Sequence, residues 1–213
     1  PFSINDIVPI ANHLTEAGVV AVKADSPYKT IEELVAAAKE KGNLKASTNG
    51  NKASNHTAAQ LLAKSAGFKY KAIPYGGTAD QLLALRQGEV DFTCAKVADV
   101  AKLVKGDKPE LRVLAVFNTK RDPELPNVPT LGEKGLYPEW YGSARALVAP
   151  KGTKPEVIQY YVEAFKKTMQ DPAVIEAHKK AGMALDFKDN KELGDLIKAQ
   201  NKFARDVVND LYK

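Results

Sequence analysis

Residues 44–66 read LKASTNGNKASNHTAAQLLAKSA, and residues 72–88 read AIPYGGTADQLLALRQG. Both have the same order: a short β-prone run, a polar or glycine-rich loop, then a helix. Leu44–Ser47 and Ala72–Tyr75 are strand candidates, and Thr48–Asn55 and the Gly76-Gly77 turn are the loops. A helix is predicted over about His56–Ala66. Thr78 with Gln81 forms a Thr-x-x-Gln capping signal for a second helix, which carries Leu82, Leu83 and Leu85 and stops at Gly88. Two strand–loop–helix units in succession mark the α/β class, with a mostly parallel sheet wrapped by helices.

The pattern continues on both sides. Val19–Val22 reads as a strand, and Thr30 with Glu33 opens a helix whose Ile31, Leu34, Val35 and Ala38 share one face before Gly42. Val90–Cys94 and Arg112–Phe117 are strands with a helix between them. Asn127–Pro129 is loop, and Thr130 with Glu133 predicts another helix start. Ala144–Ala149 is a strand. Thr153, Pro155 and Glu156 open a helix with Val157, Tyr160, Tyr161, Ala164 and Phe165 expected on its buried face. Asp171-Pro172 starts a further helix, Ala184–Phe187 is the last strand, and Asp189 caps a terminal helix through Leu193, Leu196, Ile197, Phe203, Val207 and Leu211.

Composition narrows the classes. The 213 residues are 44% hydrophobic and 27% charged, which fits a globular chain able to bury a core in one domain or two lobes. No run approaches the ~18 apolar residues of a membrane span, and Pro1–Ala11 has no basic stretch followed by an apolar core. The net charge of +5 favours anionic ligands only weakly. Lys166, Lys167, Lys179 and Lys180 alternate with Glu163, Asp171 and Glu176, as on solvated helix faces, and no nucleic-acid motif accompanies them.

Open α/β sheets bind ligands beyond the carboxyl ends of their strands, where free amides at helix N-termini favour negative charge. Ser47–Asn55 and Tyr75–Ala79 are built for that task, and either loop is also ordinary turn and cap chemistry. Catalytic signals are weak. His13, His56 and His178 lack metal-ligand spacing, and Cys94 ends an apolar strand, where a small buried hydrophobe is the ordinary reading. There is no nucleophile elbow, phosphate loop or dinucleotide fingerprint, so no cofactor is expected. Arg145 stands in the apolar run Ala144–Ala149. It is either a carboxylate partner or an edge-strand arginine reaching solvent.

Seven motifs in order resemble the tripartite tricarboxylate transporter receptors, also called the Bordetella uptake gene family. They are Ser26–Val35, the loop ending at His56, Pro74–Gly77, Gly88–Asp91, Leu125–Thr130, Ala149–Thr153 and Asp171–Val174. The resemblance runs from about Phe2 to the C-terminus. It implies a type II periplasmic-binding-protein fold: two α/β lobes with a ligand cleft between them, lobe one from residues 1–25 and 141–213 and lobe two from residues 26–140. It also implies a periplasmic or tethered extracytoplasmic receptor that passes a small carboxylate to membrane permease subunits. The binding role carries onto Thr48, Asn49, Gly50, Asn51, Lys52, Ser54 and His56, and onto Tyr75, Gly76, Gly77, Thr78 and Ala79. Lys52 and Ala53 replace the usual Gly-Ser, which lets Lys52 supply charge. Arg145 replaces a smaller residue and would suit an extra carboxylate. Family members carry a long stretch before the segment resembling Phe2–Ala11, so the N-terminal part of lobe one is expected to be missing, with dimerisation as one consequence.

Two other classes remain open at this level. The same fold senses effectors in transcriptional regulators, and an enzyme on it would turn on Cys94.

Overall fold

The computed structural model describes residues 3–183 and 185–212; Pro1, Phe2, Ala184 and Lys213, which the expected lobes and last strand include, lie outside them. In chain order the elements are β1 (Ile7–Lys23), α1 (Ile31–Lys41), β2 (Lys45–Thr48), α2 (Ser54–Ala66), β3 (Lys71–Pro74), α3 (Thr78–Gln87), β4 (Phe92–Lys96), α4 (Val97–Val100), β5 (Leu111–Phe117), β6 (Gly142–Pro150), α5 (Pro155–Met169), α6 (Pro172–Lys180), β7 (Leu185–Lys188) and α7 (Asn190–Phe203). Contacts divide the chain into two compact units, residues 1–16 with 144–213, and residues 17–143. These joints lie between Glu16 and Ala17 and between Ser143 and Ala144; the sequence expectation put them after Asp25 and after Trp140.

In the unit of residues 17–143 the strand order is β3-β2-β4-β1-β5. β2 pairs in parallel with β3 (Thr48 opposite Pro74) and with β4 (Ser47 opposite Thr93). β1 runs antiparallel to both β4 and β5, so the sheet is mixed, not mostly parallel. The core packs Val19, Ala21, Leu85, Ala95, Val100 and Val116 between sheet and helices. Each large apolar side chain fully buried there contributes on the order of 1.5–3 kcal/mol.

Local rules fix several helix ends. Thr30 Oγ1 accepts the Glu33 N–H at 3.2 Å while Glu33 Oε2 accepts the Thr30 N–H at 3.3 Å. Gly42 and Gly88 end α1 and α3 with φ of 67° and 78°, a left-handed conformation that glycine adopts without steric cost.

Other expectations needed correction. α3 begins at Thr78 itself with Gly77 as N-cap and no side-chain cap, so Thr78 is not the capping residue. Thr130 Oγ1 does accept the Glu133 N–H at 3.0 Å, yet only turns follow. The helix between β4 and β5 shrinks to the four residues of α4.

In the unit of residues 1–16 with 144–213, β1 pairs with β6 and antiparallel with β7. Ile10, Ala11, Ile158 and Val162 form its core, with Phe165 and Phe187 against them. α5 therefore buries the stripe Ile158, Val162 and Met169; Val157, Tyr160 and Tyr161, expected inside, are exposed. Both stripes obey the helical period, and only the position of the sheet chooses between them.

Candidate functional site

The carboxyl ends of β3, β2 and β4 are consecutive neighbours in the sheet, about 4.8 Å apart per strand. The loops leaving β2 and β3 therefore lie side by side, and the Tyr75 N–H bonds the Thr48 carbonyl at 2.9 Å across them. Each loop runs straight into a helix without a side-chain cap: Ala53 precedes α2 and Gly77 precedes α3. By contrast Thr30, Asp171 and Asp189 cap α1, α6 and α7 with their own oxygens. The first-turn amides of α3, and those of α2 apart from the Asn55 N–H that Asn49 Oδ1 takes, therefore keep their attraction for an anion.

The first loop is a set of nested turns. Thr48 Oγ1 donates to the Gly50 carbonyl at 3.3 Å, and Asn49 Oδ1 accepts the Asn55 N–H at 3.2 Å. Gly50 has φ 125°, a conformation that disfavours any side chain. Lys52 has φ 59°, and among the described residues it is the one non-glycine with positive φ. Its N–H donates to His56 Nδ1 at 2.9 Å, so the neutral His56 ring carries its hydrogen on Nε2. Burial holds the His56 pKa below the usual imidazole value. The Asn51 and Lys52 side chains are exposed. In the second loop Gly76 is exposed, and the Tyr75 hydroxyl donates to Glu89 Oε2 at 3.1 Å. Thr78 and Ala79 are the first two residues of α3.

Two residues complete this end of the sheet: Lys96, which the sequence reading did not single out, and Gln81, which it took only as the partner of Thr78 in a capping signal. Lys96, the last residue of β4, is 5% exposed, and its amine donates to Asn55 Oδ1 at 2.6 Å and Ser54 Oγ at 3.3 Å. Gln81 is fully buried and joins Asn55 on α2 to β4. Tyr141 donates its hydroxyl to the Ser54 carbonyl at 3.1 Å, over a close approach that needs Gly18. A Cβ there would lie 3.1 Å from the Tyr141 oxygen and 3.2 Å from Phe117. A polar residue on the buried face of α3, in register with Leu85, was the available signal for Gln81. Lys96 directly after an apolar strand was a weaker one.

Arg145 lies in the other unit, where its guanidinium meets Glu16 Oε2 at 2.6 Å; the Glu16 side chain is 4% exposed and that of Arg145 50%. His13 and His178 face each other in the same unit, Nε2 to Nε2 at 3.0 Å. Among the described residues no group of three or more His, Cys, Asp or Glu could hold a metal. Burial pushes the Cys94 thiol up to about 12, which leaves it protonated and a poor nucleophile at neutral pH. Among the described residues no helix is long and apolar enough to cross a membrane.

The family described as "Tripartite tricarboxylate transporter family receptor" matches residues 1–212. The chain belongs to this receptor family. A relative from Cupriavidus necator, the UPF0065 protein in the gbd 5' region, is 32% identical over 209 residues, which cover 98% of this chain and 62% of the relative. The protein BugT of Bordetella pertussis is 27% identical over 176 residues, covering 82% of this chain and 53% of BugT. This receptor chain thus spans about six-tenths of the length of the curated relatives it matches. The crystal structure of a TctC solute-binding protein from Polaromonas superposes with a TM-score of 0.83 at 27% identity, over 98% of this chain and 71% of that one. The periplasmic binding protein BugD gives a TM-score of 0.84 at 23% identity, over 99% of this chain and 71% of BugD, and so shares the fold. Family and fold are those of solute-binding receptors, with the two α/β lobes of the type II periplasmic-binding class.

Proposed function

We propose that this chain carries the anion-holding lobe of an extracytoplasmic receptor that captures a small carboxylate and delivers it to membrane permease subunits. It binds without catalysis. The observation that carries the reading is the pair of helix N-termini, α2 and α3, whose N-cap residues Ala53 and Gly77 offer no side-chain oxygen, set side by side by the parallel pairing of β2 and β3. Asn49, Gly50, Asn51, Ser54, Gly76, Gly77, Thr78 and Ala79 present backbone and small polar groups to the anion, with the buried Lys96 amine adding positive potential behind the first turn of α2; Thr48, fully buried, shapes the first loop through the Gly50 carbonyl. Lys52 and His56 shape the first loop, and Tyr75 ties the second to Glu89. Periplasmic residence follows from the same reading. Two proteins of this fold are described with adipate and with malate bound. At 22% and 20% identity they share the fold, and they suggest which acids to try first. None of the matches named above is a transcriptional regulator, and no observation favours that class.

The test is a thermal-shift screen of the complete gene product against acetate, benzoate, malate, adipate and citrate. A ligand at ~100 times its dissociation constant adds about 2.7 kcal/mol to the folded state. In a chain of 213 residues that raises the midpoint by roughly 5–10 °C, and by less in a longer one. A selective shift with one acid supports the receptor. No shift with any acid, together with one from a neutral or cationic solute, overturns it.

A further inference from the structure

Behind the two loops runs a buried relay of side chains with an obligate donor at one end and an obligate acceptor at the other. The Lys96 ammonium can only donate, so the Asn55 oxygen 2.6 Å away must be the acceptor. That turns the Asn55 NH2 toward Gln81 Oε1, at 2.9 Å. The Gln81 NH2 then donates to the Cys94 carbonyl at 2.7 Å and to Thr93 Oγ1. Thr93 in turn donates to the Ser47 carbonyl at 2.9 Å and accepts from Ser47 Oγ at 3.0 Å. Both amide orientations are fixed by this chain of bonds, and each hydrogen of the Gln81 NH2 has its acceptor. The polar side chains involved are all 5% exposed or less.

The relay connects the elements that matter to an anion cradle. Asn55 is the second residue of α2, Gln81 the fourth of α3, Ser47 the last but one of β2, and Lys96 ends β4. A saturated network in a low-dielectric interior has few alternative arrangements, because any shift leaves a buried group unsatisfied. We propose that Gln81 is a positioning residue for ligand binding: through Asn55 it fixes α2 against α3, and with Lys96 it holds both first turns in the geometry an anion needs. Gln81 itself, fully buried, touches no ligand. The inference rests on the receptor reading above.

The test measures ligand affinity on folded protein, by calorimetry on the complete gene product with each of the five acids of the screen. Gln81→Met, close in size and without the amide, should weaken the acid that wild type binds by at least tenfold, about 1.4 kcal/mol, mainly through faster dissociation. A purely structural role would lower the denaturation midpoint and leave the affinity of the folded fraction within twofold. The exchange variant Asn55→Gln with Gln81→Asn keeps the combined side-chain length across the gap and should recover most of the loss; failure to recover counts against the relay. Should Gln81→Met not fold, NMR of the wild type decides: the side-chain NH2 signals of Asn55 and Gln81 must both move on saturation, and if neither moves the proposal falls. Wild type that binds none of the acids removes the receptor reading and this inference together, whereas wild-type binding matched by the variant removes this inference alone.

Discussion

Lys52 offers a way to separate backbone from charge in the first loop. Its φ of 59° puts a side-chain-bearing residue in the left-handed region, at a cost of about 1–2 kcal/mol. Lys52→Gly removes that cost and adds roughly 0.5–1 kcal/mol of unfolded-state entropy. The net effect is a stabilisation between about 0 and 1.5 kcal/mol, up to roughly 5 °C in the midpoint for a chain of this size. Lys52→Ala keeps the strained conformation and should gain nothing. Both variants retain the N–H that reaches His56 Nδ1. The Lys52 side chain is exposed, where single ion contacts are worth about 0–1 kcal/mol. Ligand affinity should therefore stay within a factor of about five in both variants. Differential scanning fluorimetry and calorimetry on the two variants read these outcomes. If Lys52→Ala stabilises as much as Lys52→Gly, the strain is not in φ; if affinity falls tenfold or more in both, the lysine charge and not the backbone anchors the anion.

Two further outcomes follow from the charged groups. His13 and His56 are both held below the usual imidazole value by burial first, and for His13 also by His178 and Arg145. Below an unfolded-state pKa of about 6.5 the unfolded chain takes up protons that the folded chain resists, so stability present above that pH declines as the solution is acidified. Urea midpoints near pH 7.5, 6.5 and 5.5 should fall in that order, and less steeply in His56→Gln; a flat series would refute the assignment. Arg145→Met takes the guanidinium from the buried Glu16 carboxylate and should cost about 1–3 kcal/mol, reduced from the fully buried range because Arg145 is half exposed. Adding Glu16→Gln should restore most of it in urea denaturation, and an additive double variant would show that the pair is not coupled.

The resemblance in seven ordered motifs pointed to the receptor family, and local sequence alone decided much beside it. The Thr30–Glu33 box, the Gly42 and Gly88 stops and the Asp189 cap depend on side chains within a few residues, whose hydrogen bonds need no distant partner. The two strand–loop–helix units were legible for the same reason. What remained hidden depends on remote partners. β1 is a 17-residue strand whose polar positions Asn12, Thr15 and Glu16 conceal it, because the pairing that makes it a strand comes from β4, β5 and β7. α5 offers two apolar stripes of equal period, and only its sheet selects Ile158 and Val162. Thr78 and Thr130 show the limit of capping signals, since Gly77 already occupies the N-cap position of α3 and only turns follow Thr130. Lys96 and Gln81 belong to the same class. Lys96 sits between Ala95 and Val97 and Gln81 between Asp80 and Leu82, and their side-chain hydrogen-bond partners lie 12 to 42 residues away. Sequence determines where amides at helix starts are available; tertiary packing decides which buried amine and amide stand behind them, because a buried polar group must find its partner wherever the fold brings one within 3 Å.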